Sequence, residues 1–281
     1  FIQAAKQLEG TGVTLMKMGE EGVPTVEEYI EEKLPEHGCL GCDGRTIHVA
    51  EGKEFQEILK KKSGSLKCQN DLVGSIWEDR PEMSKEAVYL LDTKYAGKSR
   101  EEKIAEVRAA MKKSGANVHL ISSMDDIVWL LNIRGNDIVC NPVVMSYVMM
   151  NMETVNFYVQ EEAVPKEVKE ALEKAGVVLC PYFQVYEDVK ELKETDKIMV
   201  EDVCTNFTLY ENIPQHTEVI FEKNPAAVLK GNKNPVEQEN IRIAHIKDAK
   251  AMCRFIYWLK KNVGTSEITE YSAAQKSEAF R

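Results

Sequence analysis

Three sets of residues in this 281-residue chain have types and spacings suited to chemistry. His245 and Asp248 stand i, i+3 on a helical stretch. An imidazole and a carboxylate so placed share a helix face and could share a divalent metal. The alternative, and the preferred one, is that both fringe the polar edge of an apolar helix face. The five histidines (His37, His48, His119, His216, His245) are far apart, and none has a second His at metal spacing. Cys39-x-x-Cys42 is the second set. Redox chemistry wants such a pair at a helix N-terminus, where a thiolate is stabilised. Here it sits in a short strand-like stretch running into Asp43-Gly44, and no second Cys pair completes a zinc site. Arg134, in Asn132-Ile133-Arg134-Gly135-Asn136-Asp137, is the third. A charged loop at the end of an element can hold a carboxylate. It can equally be pinned by Arg134 pairing with Asp137 or Asp125, which is the favoured role. No Gly-rich phosphate cradle and no Gly-x-Ser-x-Gly elbow is present.

The elements that must position these groups alternate between helix and strand. Phe1 to Leu8 reads as a helix broken by Gly10 and Gly12, and Val13 to Met18 as a strand. Pro24 opens a helix with Val26, Tyr29, Ile30 and Leu34 inward, followed by a strand at Cys39 to Cys42. A helix with Phe55, Ile58 and Leu59 inward is stopped by Gly64, and Ser65 to Cys68 is a further strand. The polar stretch Glu78 to Lys85 contains Pro81, has no periodicity and reads as a linker. Beyond it, Ser99 and Glu102 form a capping box for a helix with Ile104, Val107 and Met111 on one face. Strands are expected at Val118 to Ile121, Val143 to Met150, Val155 to Val159, Val177 to Cys180, Ile198 to Val200 and Glu218 to Phe221. The second and third form a hairpin. Ser123 and Asp126 are expected to cap a helix through Trp129, and Pro165 opens one ended by Gly176. Asn234-Pro235-Val236-Glu237 starts a long helix. Met252, Phe255, Ile256, Leu259 and Val263 mark its apolar face, Gly264 stops it, and Thr265 or Ser266 caps a last helix, Ile268 to Phe280. The alternation predicts an α/β fold: a mixed sheet with helices on both faces.

Composition narrows the function. A net charge of −10 gives no reason to expect nucleic acid as a partner, since its binders carry basic faces. No apolar run approaches the roughly 20 residues that span a bilayer, so no membrane partner is expected. Seven cysteines, odd in number and scattered, fit a reducing cytoplasmic location better than a disulfide framework. Phe1 in place of an initiator Met, and an end inside a helix, predict a piece of something longer.

Motifs spread along the whole chain resemble one family. Phe1-Ile2-Gln3-Ala4-Ala5-Lys6-Gln7-Leu8, Leu15-Met16-Lys17-Met18-Gly19 and Ile76-Trp77-Glu78-Asp79-Arg80-Pro81-Glu82 look like the first domain of three-domain Xaa-Pro aminopeptidases (aminopeptidase P), of the creatinase/prolidase class. Trp129 to Asp137, with Asn141-Pro142-Val143 and Ser146-Tyr147, is similar to the best-marked motif of their second domain. Asn234 to Glu237, Ala244 to Ala249, Trp258-Leu259 and Thr269-Glu270 resemble the opening helices of their catalytic, "pita-bread" domain.

The resemblance implies residues 1–77 as the C-terminal part of domain I, 78–85 as linker, 86–223 as domain II, and 224–281 as the start of the catalytic domain. It also implies that domain I is a partial copy of the domain II type. The implied parent is a hydrolase, a metallopeptidase removing the N-terminal residue from peptides with proline second. Its two divalent metal ions, expected to be manganese, would activate a water and polarise the scissile carbonyl. The family's metal ligands (two Asp, a His and two Glu) and its substrate-binding histidines fall beyond Arg281, and its first-domain substrate arginine falls before Phe1. Position by position, the resemblance therefore assigns this chain no catalytic, substrate-binding or metal-binding residue, and His245 an ordinary helix position. The chain itself is expected to be inactive and metal-free. Proline-containing peptides and a homodimer belong to the full-length protein. The alternative is a binding protein or pseudoenzyme that reuses the α/β domain without peptidase activity.

Overall fold

The computed structural model describes all 281 residues, Phe1–Arg281. The first stretch holds α1 (Ile2–Leu8), α2 (Val26–Lys33), β1 (Cys39–Gly41), α3 (Val49–Lys61) and β2 (Ser65–Lys67). β1 and β2 form a two-stranded parallel sheet in which Cys39 opposes Ser65 and Gly41 opposes Lys67. Phe55, Ile58 and Leu59 are buried on α3, as their spacing predicts. Three expectations fail here. Val13 to Met18 is not a strand: it pairs with neither β1 nor β2, which pair only with each other. Val26 and Tyr29 stay about half exposed, since so small a sheet cannot cover an inward face of α2. It is Ser63, at φ 51°, and not Gly64 that takes the left-handed turn after α3. Gly64 is needed for another reason: a Cβ there would lie 2.7 Å from the carbonyl of Gly38.

The central unit contains β3 (Tyr89–Leu90), α4 (Thr93–Ala96), α5 (Arg100–Lys113), β4 (Val118–Ile121), α6 (Met124–Leu130) and β5 (Ile133–Arg134). The hairpin β6 (Ser146–Asn151) and β7 (Val155–Val159) follows, then α7 (Lys166–Lys174), β8 (Val177–Pro181), α8 (Val185–Asp188), β9 (Lys197–Val200), α9 (Phe207–Glu211), β10 (Glu218–Phe221) and α10 (Pro225–Gly231). Six strands make a mixed sheet in the order β10-β9-β4-β6-β7-β8. β10, β9 and β4 run parallel, β6 is antiparallel to both β4 and β7, and β8 is parallel to β7.

Strand periodicity sorts the side chains into two cores. Ile121, Val148, Met150, Phe157 and Met199 face Ile104, Val107, Leu172 and Ala226 from α5, α7 and α10. Their neighbours Leu120, Met149, Tyr158 and Ile198 face Val185 and Leu209 from α8 and α9. Helices thus cover both faces. A buried polar chain ties the first core together. His119 contacts the carbonyl of Met199 at 3.0 Å and Oδ1 of Asn224 at 2.9 Å, and Asn224 donates to Asp126. Asp126, expected as a helix cap, is instead turned inward, where its other oxygen meets Lys230 at 2.7 Å. Ser123 precedes α6 without a side-chain cap bond.

The first stretch docks on the central unit through backbone. Val49 and Ala50 donate to the carbonyls of Thr205 and Asp202, and Phe207 and Thr208 donate to those of Ile47 and Gly44. Gly52 allows this approach, for a Cβ there would stand 2.2 Å from the ring of Phe207.

The chain closes with α11 (Pro235–Asn262) and α12 (Glu270–Glu278). Asn234 and Glu237 make a reciprocal capping box for α11, as expected. The cap of α12 is Thr269, with Ser272 reciprocating, so neither Thr265 nor Ser266 fills that role. On α11 only Ala251 is fully buried, and Ile256 and Val263 of the expected apolar face lie exposed.

Candidate functional site at the junction of the central unit and the long helix

The Trp129–Asp137 stretch and the start of α11 meet around an open cavity of about 450 Å³, walled by Trp129, Arg134, Lys103, Lys230, Asp125 and Glu237 among others. Local sequence explains how these groups get there. Lys103 lies four residues before Val107 and eight before Met111, so α5 carries it inward with its apolar stripe. It is only 1 % exposed. Its ammonium sits 4.3 Å over the Trp129 ring and donates to the Trp129 carbonyl at 2.9 Å and to Oδ1 of Asn132 at 2.6 Å. Burial pushes the lysine down to about 8, with the Glu237 carboxylate opposing.

Asn132 ends α6 in the left-handed region, at φ 50°, a conformation Asn tolerates better than most residues. Its amide nitrogen donates to the Lys98 carbonyl, so one buried side chain joins the end of α6 to the segment before α5. The indole N–H of Trp129 reaches the other way, to Oε1 of Glu237 at 3.1 Å. Oε2 of the same carboxylate accepts from the backbone of Asn234 at 3.0 Å. Asn234 in turn donates to the Ala96 carbonyl. It packs so tightly on Gly97, itself at φ 72°, that a Cβ there would lie 2.2 Å from Asn234 Oδ1. The cap of α11 is therefore shared with the central unit.

Arg134 donates to the carbonyls of Val128 and Ile133, at 2.9 and 2.7 Å. It pins the loop, as favoured, but through backbone oxygens and not through Asp137 or Asp125. Asp137 instead accepts from the Met145 backbone at 2.6 Å. Burial lowers the Arg134 guanidinium from its ordinary value, against the pull of Tyr89, Glu237 and Asp125. A Cβ on Gly135 would meet Val144 and the Val143 carbonyl inside 3.0 Å, so this bend needs glycine.

The other sequence candidates lie elsewhere. His245 is exposed on α11, next to Ala244 at the rim of the cavity but not itself part of its wall. Asp248 pairs with Arg281 at 2.7 Å, which holds its carboxyl below the usual range. No three His, Cys, Asp or Glu side chains come together as a metal-binding group. Cys39 is exposed and unpaired with Cys42, whose sulfur lies against Cys68 instead.

Lys103 is the site residue that motif reading missed, and that reading gives Glu237 only as part of the helix start, without its bond to Trp129. The inward spacing of Lys103 with Val107 and Met111 is visible in the sequence, but its pairing with Asn132 and Trp129 is not. The cavity wall brings together no nucleophile and base. Its chemistry is that of a joint: a buried cation, an aromatic plate and a capping carboxylate that hold α11 at a set angle to the sheet.

Comparison with known proteins follows the same outline. The family model described as "Creatinase/Prolidase N-terminal domain" matches residues 79–237. The chain is 32 % identical over 294 residues to Xaa-Pro aminopeptidase 1 of Dictyostelium discoideum, aligning over 100 % of itself and 46 % of that protein. It is 34 % identical over 293 residues to a probable Xaa-Pro aminopeptidase P of Aspergillus niger, covering 47 % of it. The chain thus spans about half the length of the curated relatives it matches. It superimposes with a TM-score of 0.91 and 26 % identity on the X-prolyl aminopeptidase of Caenorhabditis elegans, described as a cytosolic enzyme with a di-nuclear active site. That match covers all of this chain and 47 % of the other.

Proposed function

Because the chain belongs to the Creatinase/Prolidase N-terminal domain family, we propose that it is the non-catalytic N-terminal region of a metal-dependent Xaa-Pro aminopeptidase. The complete protein would remove the first residue from peptides whose second residue is proline. The observation that carries this is the match of the whole chain, at TM-score 0.91, to an X-prolyl aminopeptidase about twice its length.

On this reading residues 1–77 belong to domain I, 78–85 link it to domain II at 86–223, and 224–281 open the catalytic domain. The junction around Trp129 and Glu237 then sets the position of domain II on the catalytic domain. Domain II would act as a wall that lets only free N-termini of short peptides reach the metals. The residues in this chain do not fit a metal pair, because no three potential ligands converge. The two divalent ions, manganese on this proposal, would be held by other residues of the complete protein. The chain would contribute no catalytic or ligand side chain. A cytoplasmic location fits the cytosolic relative; in this chain no helix is long and apolar enough to cross a membrane.

The test compares the purified 281-residue chain with the complete gene product on an Xaa-Pro peptide, with and without manganese and a chelator. The complete protein should turn over the peptide and lose activity on chelation, while the chain alone stays inert. Chelator-sensitive turnover by the chain alone overturns the assignment of no catalytic residue. An inert complete protein favours the pseudoenzyme.

A further inference from the structure

The parallel pairing of β1 with β2 keeps a constant offset: Cys39 opposes Ser65, Leu40 opposes Leu66 and Gly41 opposes Lys67. One residue further on, the same offset sets Cys42 opposite Cys68. The backbone continues the ladder there, with Cys42 N–H donating to the Lys67 carbonyl and Gly44 N–H to that of Cys68. The two sulfurs are in contact at 3.1 Å. Cys68 is buried, 3 % exposed, while Cys42 is half-buried and open to a small reagent. Gly44 keeps the space around the pair, because a Cβ there would lie 2.9 Å from Cys68 Cβ.

Cys39-x-x-Cys42, the pair that sequence spacing suggests, cannot act together in this strand. Residues three apart on an extended chain point to opposite faces and lie about 10 Å apart. Opposed residues on adjacent strands, by contrast, fall within the Cα spacing a disulfide needs.

We propose that Cys42 and Cys68 form a reversible modification site, a dithiol that a low-molecular-weight disulfide oxidises to an intramolecular cross-link. The Cys42 thiolate attacks one sulfur of the small disulfide and expels the other as a thiolate, leaving a mixed disulfide on Cys42. Cys68 then gives up its proton to solvent, attacks the Cys42 sulfur and expels the second small thiolate. Both leaving thiolates take up protons. Two cysteine thiols are oxidised, one small disulfide is reduced to two thiols, and one S–S bond is gained as one is lost. Burial, first, and the neighbouring Cys42 sulfur push the Cys68 thiol up, which suits it to the second step and not the first. The cross-link closes the loop that contains α3 and the docking residues Gly44 to Gly52. It therefore clamps the part of the first stretch that grips Thr205 and Phe207.

The test treats the purified chain with oxidised glutathione, alkylates it under denaturing conditions and maps the peptides. The Cys42 and Cys68 peptides should be joined, with dithiothreitol restoring both thiols, whatever glutathione the four exposed cysteines take up. Cys39→Ser should leave the cross-link intact. Cys68→Ser should stop the reaction at one glutathione on Cys42. Protease cleavage within residues 42–68 should slow several-fold on oxidation. A stable glutathione adduct on Cys42 with Cys68 still free in the unmutated chain, or a cross-link lost in Cys39→Ser, overturns the proposal.

Discussion

The indole N–H of Trp129 donates across 3.1 Å to Oε1 of Glu237, whose other oxygen closes the cap of the Pro235–Asn262 helix. One carboxylate thus serves a helix end and an aromatic side chain from the six-stranded unit. A joint of this kind transmits position, because neither partner can move without leaving a polar group unpaired.

Trp129→Phe keeps most of the ring and deletes the donor. Hydrogen bonds to charged groups contribute about 1.5–3 kcal/mol, and the substitution should cost about 2 kcal/mol in urea unfolding. Glu237→Gln should also destabilise, since its single amide oxygen can accept from Trp129 or from the Asn234 backbone but not from both. In a double-mutant cycle with Glu237→Ala the two sites should couple by about 1 kcal/mol or more. Additive effects would show that the bond does not join the two units.

Lys103 supplies a pH dependence of definite sign. Its folded value of about 8 lies below the ordinary 10.5. Between those values the unfolded chain binds more protons than the folded one, so stability rises with pH across that window. The gain is at most about 3 kcal/mol, at 1.36 kcal/mol per pH unit. Below about pH 8 the lysine is charged in both states and its contribution is flat. Lys103→Met should remove this slope between pH 8 and 10. At pH 7 it should still cost about 2 kcal/mol, because Asn132 Oδ1 and the Trp129 carbonyl lose their donor. Guanidinium melts of both proteins at pH 7 and 9.5 would measure the slope.

Gly52→Ala tests how the first stretch is seated. The added methyl would lie 2.2 Å from a fully buried Phe207 ring that has little room to yield. Overpacking of this order costs about 1–3 kcal/mol. Limited proteolysis should then cut residues 1–77 faster while the six-stranded unit resists. Equal protection of both parts would refute this seating.

In the complete protein, removing residues 1–223 should relax the preference for short peptides or lower the thermal midpoint. Rates on Xaa-Pro peptides of increasing length would show it. An unchanged length dependence would count against the proposed wall.

Much of the architecture was legible because it follows from local periodicity. Val118 to Ile121 and the hairpin, expected from Val143 but begun at Ser146, read as strands because their apolar residues are consecutive or alternate and are bounded by turn residues. The caps at Ser99 and Asn234 read correctly because a capping box needs only residues three apart. Val13 to Met18 had strand composition but pairs with no strand, and pairing is a tertiary property. Asp126 had the position of a cap, yet Asn224 and Lys230, about a hundred residues away, drew it into the core. The same limit separates Cys39-x-x-Cys42 from Cys42 and Cys68. Spacing along the chain made the first pair visible, whereas strand register alone placed the second pair in contact. Lys103, Trp129 and Glu237 likewise come from three elements, and only the packing of α11 against the central unit makes them one joint.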